Sequence, residues 1–328
     1  MNLLQLSFYI ISFLVVFLGV IVNWFHKYAP EWVLKTYRYG KFSYNACGTL
    51  TTIQVPKRWF CHFYAVSSIL TFSTFLLMFA LNFKLIYDLP QSIKVFLHFI
   101  GTPSDTVPAS MSFLAMFLLM VQCFKRFYET HFVSVFSDSK MDINHYLLGH
   151  FHYFGATLAI FSESSRTFSE WRNVTIWNYS FLVLNNLKFS TILISLFNQI
   201  RRHMFSSTDI GLKHFLAAAV FLWACKSQLD CAKILANLRK NDKGKVVHTK
   251  HQIPKGGYFD LVSSPHLFFE MIMYLCLWII VWGNTTWPAV VIWVVSNQIE
   301  TSFLSHWWYK ETFRNYPKQR KAIIPYLL

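Results

Sequence analysis

The sequence is dominated by apolar segments long enough to cross a lipid bilayer, and the first of them shows the pattern most clearly. Residues 3–22 read LLQLSFYIISFLVVFLGVIV, without a charged side chain. Because a helix rises about 1.5 Å per residue, roughly 20 apolar residues span the hydrocarbon core. A removable signal peptide would need a basic residue before the run and a small-residue cleavage site after it, and neither is present. We therefore predict a retained membrane anchor.

Six further apolar segments repeat this character along the chain. Those at 109–124 and 145–161 are short for a full crossing and would need flanking residues to complete it. Neither an internal repeat nor a Pro/Gly/Ser-rich linker divides the chain. We predict an all-α membrane protein of about seven transmembrane helices in one bundle, a single membrane-embedded domain over residues 1–328. The six segments are Phe60–Leu81, Ala109–Phe124, His145–Phe161, Leu212–Leu229, His266–Trp282 and Trp287–Trp307.

Composition supports this class. Hydrophobic residues make up 54% of the chain and charged residues only 14%, whereas soluble domains carry about 25% charged residues. The formal net charge is +15, which in a membrane protein suits loops facing an anionic leaflet and an anionic ligand rather than nucleic acid. The six cysteines form no C-x-x-C pair, so we expect neither a disulfide scaffold nor a metal site.

Basic residues are concentrated in segments that seven spans would place on one side of the membrane. These segments are 23–59, 226–265 and the tail after Trp308. Since Lys and Arg favour cytosolic loops, we predict an external N-terminus and a cytosolic C-terminus. The apolar segment Ile176–Ile200 is interrupted by polar side chains and is treated as interfacial or re-entrant, because a full crossing would move the later basic segments across. Three N-glycosylation sequons then fall on the lumenal side: Asn173, Asn178 and Asn284.

Polar side chains in the last two predicted spans point to function. Glu270 lies one turn after His266, and Glu300 lies in the final span. An ionisable group in hydrocarbon costs a few kcal/mol, so its presence suggests a functional site. Packing between helices through buried hydrogen bonds is the alternative. One helical stripe on the final span is polar throughout: Gln298, Ser302, Ser305 and Tyr309.

The cationic stretch from Gln228 to Gly257 follows a helical run. It contains no G-x-G-x-x-G or G-x-x-x-x-G-K-[ST] loop, so neither standard nucleotide motif is present. Lysine and arginine can still hold phosphates by charge and forked hydrogen bonding, although a solvated cytosolic loop is an open alternative. The tail 313–328 is basic and then apolar, which suits either a ligand role or a leaflet-bound segment.

Two sets of motifs resemble a known family. The steroid 5-alpha-reductase family has a similar C-terminal signature, in which Glu270 follows a Pro-Lys-Gly-Gly turn at the expected offset. Its segments here are Ile253–Phe259, His306–Lys310, Tyr316–Lys318 and Arg320–Pro325. A second set is similar to one branch of that family, the polyprenol (polyprenal) reductases: Val55–Phe60, His62–Tyr64, Lys125–Glu129, Phe132–Ser137, Ile234–Asn241 and Ser263–His266.

The resemblance covers 55–160 and 206–328, separated by an apparent insertion at about 162–205, and places the catalytic and cofactor region in 226–328. It implies a multi-pass protein of the endoplasmic reticulum membrane that uses NADPH to reduce the α-isoprene double bond of polyprenal or polyprenol. The product leads to dolichol for protein N-glycosylation. A long-chain polyprenoid lipid would be the substrate, with no nucleic acid or obligate protein partner.

The same resemblance implies roles for individual residues. Arg126 would lie near the boundary between cofactor and substrate. The cofactor-binding candidates are Gln228, Arg239, His251, Arg126 and Arg320. The catalytic candidates are Tyr309, Glu270 and His266.

Several positions depart from the steroid reductases. The Gln-Glu pair with which those enzymes bind a 3-keto group has no convincing match here, which argues against steroid reduction and is compatible with a linear lipid. A steroid or very-long-chain enoyl reductase of the same superfamily is an alternative, and a multi-pass lipid transporter is an alternative of another class. The substituted positions are His266 for Asn, Thr301 for Arg, Ser305 for His and Ala232 for Asp.

The chemistry favours the aldehyde as the species reduced. Hydride addition to a carbon–carbon double bond needs a sink for the developing charge, and an α,β-unsaturated aldehyde provides one in its carbonyl oxygen. A single donor to that oxygen is worth about 3–4 kcal/mol, whereas an allylic alcohol offers no such sink. Tyr309 is the first candidate for this donor or for the proton source, although an interfacial tyrosine is the alternative. Glu270 would orient the nicotinamide carboxamide or His266.

Overall fold

The computed structural model describes residues 1–30, 33–34, 37, 53–83, 85–86, 88–101, 106–164 and 210–328. Within these ranges the chain is mainly helical, with eight α-helices and one two-stranded antiparallel sheet. The helices are α1 (Leu3–Trp24), α2 (Phe60–Asn82), α3 (Gln91–Ile100), α4 (Ala109–Tyr128), α5 (Ile143–Phe161), α6 (Leu212–Asn237), α7 (Pro265–Ile280) and α8 (Trp287–Thr312). The strands are β1 (Gln54–Pro56) and β2 (Lys140–Asp142).

All seven segments predicted from hydropathy are helices. Within the described ranges, four helical stretches are long and apolar enough to cross a membrane: Leu3–Trp24, Lys57–Asn82, Ala109–Val133 and Leu212–Asn237. Helix α7 is apolar but shorter, at 16 residues. These apolar helices indicate a multi-pass membrane protein.

Helix α3 and the small sheet were not predicted. Helix α3 has only ten residues and carries its apolar side chains on one side, so it lacks the continuous apolar run that marks a membrane span. Each strand has three residues, too few to show an alternating pattern. The described chain is mainly helical, as predicted, and the sheet is a small local addition that pairs the segments before α2 and α5. The predicted re-entrant helix at Ile176–Ile200 and the sequons at Asn173 and Asn178 lie outside the described residues.

Neighbouring helices pack in both directions. Helix α6 is antiparallel to α7 and α2 is antiparallel to α4. Helix α1 runs parallel to α8, and α2 runs parallel to α5. Helices α7 and α8 form a hairpin whose turn includes Gly283 at φ +102°, a conformation that favours glycine. As a result, the ends of α4, α6 and α8 lie near the beginnings of α2 and α7. We call this the cavity end of the bundle.

A buried carboxylate fastens the opposite end. Glu163, fully buried just after α5, accepts hydrogen bonds from the backbone N–H groups of Thr285 (2.6 Å) and Thr286 (2.9 Å). Gln5 on α1 donates to the Thr285 carbonyl at 2.8 Å. The Asn284 amide donates to the Ala159 carbonyl at 2.7 Å and is itself buried. This cluster ties α1, α5 and the α7–α8 turn together.

Replacing Glu163 with glutamine is expected to destabilise the protein. The amide would keep the shape but place a donor against N–H groups, leaving buried donors unsatisfied at a cost of about 1–3 kcal/mol. Thermal unfolding in nanodiscs should therefore show a lower midpoint for Glu163→Gln. Asp242→Asn, the same change at an exposed loop position, is the matched control. Equal midpoints for both variants would contradict the role given to Glu163.

Candidate active site

A cavity of about 320 Å³ opens at the cavity end of the bundle. Its wall is built from the beginnings of α2 and α7, the ends of α6 and α8, the segment after α4 and the loop before α7. Its polar and charged lining residues are Lys57, Glu129, Ser134, Ser137, Arg239, Lys250, His251, Gln252, Ser263, Ser264, His266, Thr301, Ser305 and Tyr309. A volume of this size lies at the lower end of the range for small-molecule sites.

Four of the eight predicted site residues line this cavity: Arg239, His251, His266 and Tyr309. Arg239 follows the end of α6, and its Nη2 lies 3.3 Å from His251 Nδ1. Tyr309 lies in the last turn of α8, 5% exposed. The fold thus brings together a cation, two imidazoles and a phenol from four separate segments.

Arg239 gives the cavity a positive character. Its Nη1 donates to the Val135 carbonyl, and among the described residues no carboxylate lies within ion-pair distance of its guanidinium. Partial burial lowers the pKa of Arg239 below its usual value, but an arginine remains charged at neutral pH. Lys57 and Lys250 add to the positive charge of the wall. Such a site suits a phosphate-bearing ligand.

The beginning of α7 also faces the cavity. Ser264 occupies the N-cap position, yet its side chain makes no capping hydrogen bond. Its buried Oγ has no hydrogen-bond partner within the described ranges, and Ser264 lines the cavity. A helix N-terminus presents N–H groups and a partial positive charge to an anion. Ser264 and Arg239 therefore supply two polar groups that a ligand could satisfy.

Glu270 lies behind the cavity wall rather than on it. Its Oε2 accepts hydrogen bonds from the side-chain amides of Gln122 (3.0 Å) and Gln228. The Gln228 amide also donates to the backbone carbonyl of His266 at 2.9 Å. Lys125 donates to the Gln228 side-chain oxygen. Glu270 and Gln228 therefore reach the cavity through the His266 backbone, and Gln122 and Lys125 complete a buried network.

Arg126 is held in a second charged cluster at the end of α4. It bonds Glu129 through Nη1 and donates to the Tyr64 hydroxyl at 2.6 Å through Nη2. Glu129 lines the cavity and opens a single π-helical turn over Glu129–Val133, a feature often found at functional sites. Arg126 thus contacts the cavity through Glu129.

Arg320 is separated from Tyr309 by one aromatic ring, that of Tyr316. The Tyr309 ring stacks on the Tyr316 ring at 5.5 Å and 8°, and the Arg320 Cζ lies 5.5 Å from the Tyr316 centroid. Arg320 is 4% exposed and lies 3.6 Å from Asp260. Arg320 therefore does not line the cavity. It packs on Tyr316, the residue that supports the Tyr309 ring.

Ser263 anchors this tail to the bundle. Its hydroxyl lies 2.6 Å from both His306 Nδ1 and the Tyr316 hydroxyl. The Ser263 backbone N–H donates to the Lys321 carbonyl at 2.9 Å. Because Tyr316 supports Tyr309, this bonding fixes one wall of the cavity.

Glu300 is separate from the site. Its carboxylate accepts a hydrogen bond from Asn23 on α1 at 2.8 Å, and a Cβ on Gly19 would lie 2.5 Å from it. Nine residues separate Glu300 from Tyr309, which is two and a half helical turns. The two side chains therefore lie on opposite faces of α8, and Glu300 joins α1 to α8.

Sequence reasoning did not identify Gln122, Tyr64 or Glu129 as site residues. Tyr64 and Glu129 lie within segments that carry the family resemblance, so a signal for them was present. Gln122 had only a weak signal, an amide inside an apolar run. Its partner Gln228 lies 106 positions away.

Comparisons with known proteins match the part of the chain that forms the cavity. The sequence model of a family described as 3-oxo-5-alpha-steroid 4-dehydrogenase matches residues 172–328. This match contains α6, α7 and α8, the tail and the loop that carries His251. It therefore covers most of the cavity wall.

Curated relatives named polyprenal reductase match over most of the chain. The Drosophila melanogaster protein is 33% identical over 335 residues, which cover 100% of this chain and 94% of that protein. The Caenorhabditis elegans protein is 32% identical over 84% of this chain and 80% of its own. The Homo sapiens protein is 31% identical over 88% of this chain and 84% of its own. The similarity therefore extends well beyond the C-terminal region.

Proposed function

The chain belongs to the polyprenal reductase branch of the steroid 5-alpha-reductase family, and we propose that it reduces the α-isoprene double bond of a long-chain polyprenal. The saturated aldehyde would then lead to dolichol for protein N-glycosylation. The observation that carries this proposal is the cavity at one end of an apolar bundle, in which Arg239 and Tyr309 face one space. A cation there suits a nucleotide, and a phenol suits a carbonyl oxygen.

We propose NADPH as the reductant. Arg239, Lys250 and the beginning of α7 with Ser264 would hold its phosphates, because they give the wall positive charge and an unsatisfied hydroxyl. His251, 3.3 Å from Arg239, would keep that guanidinium oriented. When bound, NADPH supplies a hydride for the β-carbon of the substrate.

The other predicted cofactor residues would act from behind the wall. Gln228 fixes the His266 backbone through its 2.9 Å hydrogen bond. Arg126 fixes Glu129 through an ion pair. Arg320 supports the Tyr316 ring on which Tyr309 stacks. We propose that these three are positioning residues.

Tyr309 would stabilise the charge that develops on the substrate. As the β-carbon gains a hydride, the displaced double-bond electrons collect on the aldehyde oxygen, and a proton at the α-carbon completes the reduction. The Tyr309 hydroxyl would donate to that oxygen or supply that proton. His266 would share this task from the beginning of α7, and Glu270 would hold His266 through Gln228. An allylic alcohol cannot delocalise this charge, so the aldehyde is the proposed substrate.

The membrane arrangement is part of the same proposal. Seven spans with an external N-terminus would place the cavity at the cytosolic face, beside the basic segments 23–59 and 226–265. Helices α4, α6 and α8 correspond to the third, fifth and seventh predicted spans, and all three end at the cavity. This supports the proposal, because odd-numbered spans would end on the cytosolic side when the N-terminus is external. The endoplasmic reticulum membrane is the proposed location, following the family resemblance.

Purified protein in nanodiscs should oxidise NADPH when a polyprenal is added and yield the α-saturated aldehyde in equal amount. With aldehyde-free polyprenol and no oxidase, no NADPH should be consumed, because the alcohol lacks a charge sink. The measurement is NADPH absorbance together with mass analysis of the lipid. Oxidation with polyprenol alone would refute the aldehyde assignment. Absence of turnover with both lipids would refute the proposed function.

A further inference from the structure

A second space lies between α2 and α5, on the membrane side of the bundle. It has a volume of about 300 Å³ and its lining is almost entirely apolar. Phe63, Val66 and Leu70 line it from α2, and Tyr153 and Phe154 line it from α5. Val66 and Phe154 are 51% and 42% exposed, so the space opens toward the lipid. We call it the α2–α5 groove.

The groove continues the wall of the active-site cavity. Phe60 lines the cavity, and Phe63, Ser67 and Leu70 line the groove at helical spacings along α2. The Phe60 and Phe63 rings lie edge to face at 5.2 Å. One face of α2 therefore lines both spaces. From Phe63 to Leu70 this face extends about 10 Å, at 1.5 Å per residue.

The inner end of the groove lies beside the charged cluster of Arg126 and Glu129. The Tyr153 ring, which lines the groove, meets the Tyr64 ring edge to face at 5.5 Å. The Tyr64 hydroxyl is held by Arg126, whose partner Glu129 lines the cavity. A molecule with an apolar chain and a polar end could thus lie in the groove while its end reaches the cavity.

We propose that the α2–α5 groove binds the first isoprene units of the substrate chain while the aldehyde lies in the active-site cavity. This inference rests on the proposed function. The argument for this occupant is the single face of α2 that lines both the groove and the cavity. Four aromatic rings of the groove also suit a methyl-branched alkene chain: Phe63, Phe151, Tyr153 and Phe154. An acyl chain of a membrane lipid would fit the apolar lining but would have no reason to end at the cavity.

The test compares two tryptophan variants on α2. Val66→Trp fills the groove, whereas Ile69→Trp adds the same side chain at a position 68% exposed that does not line the groove. We expect Val66→Trp to lower kcat/KM for a long-chain polyprenal about tenfold, or ~1.4 kcal/mol, because displaced isoprene units lose burial. Turnover of a three-carbon enal by Val66→Trp should stay within about twofold, and Ile69→Trp should change neither value.

A photoactivatable group on the second isoprene unit gives an independent readout in the unmodified protein. Labelling of the α2 or α5 peptides supports the groove, and labelling confined to other helices overturns it. Equal kinetics for Val66→Trp and Ile69→Trp also overturn it and would leave a membrane acyl chain as the occupant. If the unmodified protein reduces no polyprenal, the proposed function itself fails. Turnover that Val66→Trp does not alter defeats only the groove.

Discussion

Tyr309→Phe is expected to lower kcat for polyprenal reduction by about 10²–10³-fold, the usual effect of removing one donor from a developing oxyanion. The affinity for NADPH should change little, because the phenylalanine ring can keep the stacking on Tyr316. Single-turnover mixing of NADPH-loaded protein with polyprenal separates the chemical step from binding.

Tyr316→Phe is the matched control for this prediction. It removes a phenol from the same stacked pair, but that hydroxyl bonds Ser263 rather than lining the cavity. We expect it to reduce thermal stability modestly, by about 1 kcal/mol, with kcat falling much less than in Tyr309→Phe. Equal losses of kcat in the two variants would show that the tail geometry, and not the Tyr309 hydroxyl, controls turnover.

The helices could be predicted from the sequence because a bilayer demands a minimum apolar length. Their ends could not. The span predicted at Leu212–Leu229 corresponds to α6, which continues to Asn237. Asp230 and Lys233 remain exposed to solvent on one side, while Cys231 and Ala232 are buried on the other. Hydropathy identifies only the apolar part of a helix that crosses the membrane. The two extra turns of α6 are amphipathic, and they bring Arg239 to the cavity.

Site residues could be predicted where the segment around them resembles the family. Arg239, His266 and Tyr309 belong to segments that resemble the family, and they meet in one cavity. The glutamine pair Gln122 and Gln228 shows the limit, because hydrogen bonding between two distant helices leaves no local pattern. Pairing of this kind depends on how the helices pack, and the periodic pattern of apolar residues in a single sequence does not reveal that packing.

The polar side chains of the last helix also needed the structure for their interpretation. Glu300 bonds Asn23 on α1, while Ser305 and Tyr309 line the cavity. The carboxylate and the phenol therefore serve two different contacts. This division, together with family membership, favours a reductase over a transporter that would use one continuous polar face.

Arg239→Ala is expected to weaken NADPH binding about 10–100-fold, since a hydrogen bond to a charged group contributes about 1.5–3 kcal/mol. At saturating NADPH, kcat should change little, because the guanidinium acts on the phosphates rather than on the reacting carbons. The NADPH affinity of Arg239→Lys should lie between those of the unmodified protein and Arg239→Ala, since a lysine keeps the charge but loses the forked geometry. Binding is measured directly by titration of NADPH into the protein in nanodiscs.

Lys243→Ala tests whether this effect is specific to the cavity. Lys243 is an exposed cation on the same loop and does not line the cavity, so its removal lowers the overall positive charge equally. If Arg239 contacts the phosphates, Lys243→Ala should leave the affinity within about twofold, because exposed charges are screened within a Debye length of about 8 Å at physiological salt. Equal losses in Arg239→Ala and Lys243→Ala would mean that the loop attracts the nucleotide only by its net charge. A loss of kcat without a loss of affinity in Arg239→Ala would instead place the guanidinium beside the reacting carbonyl.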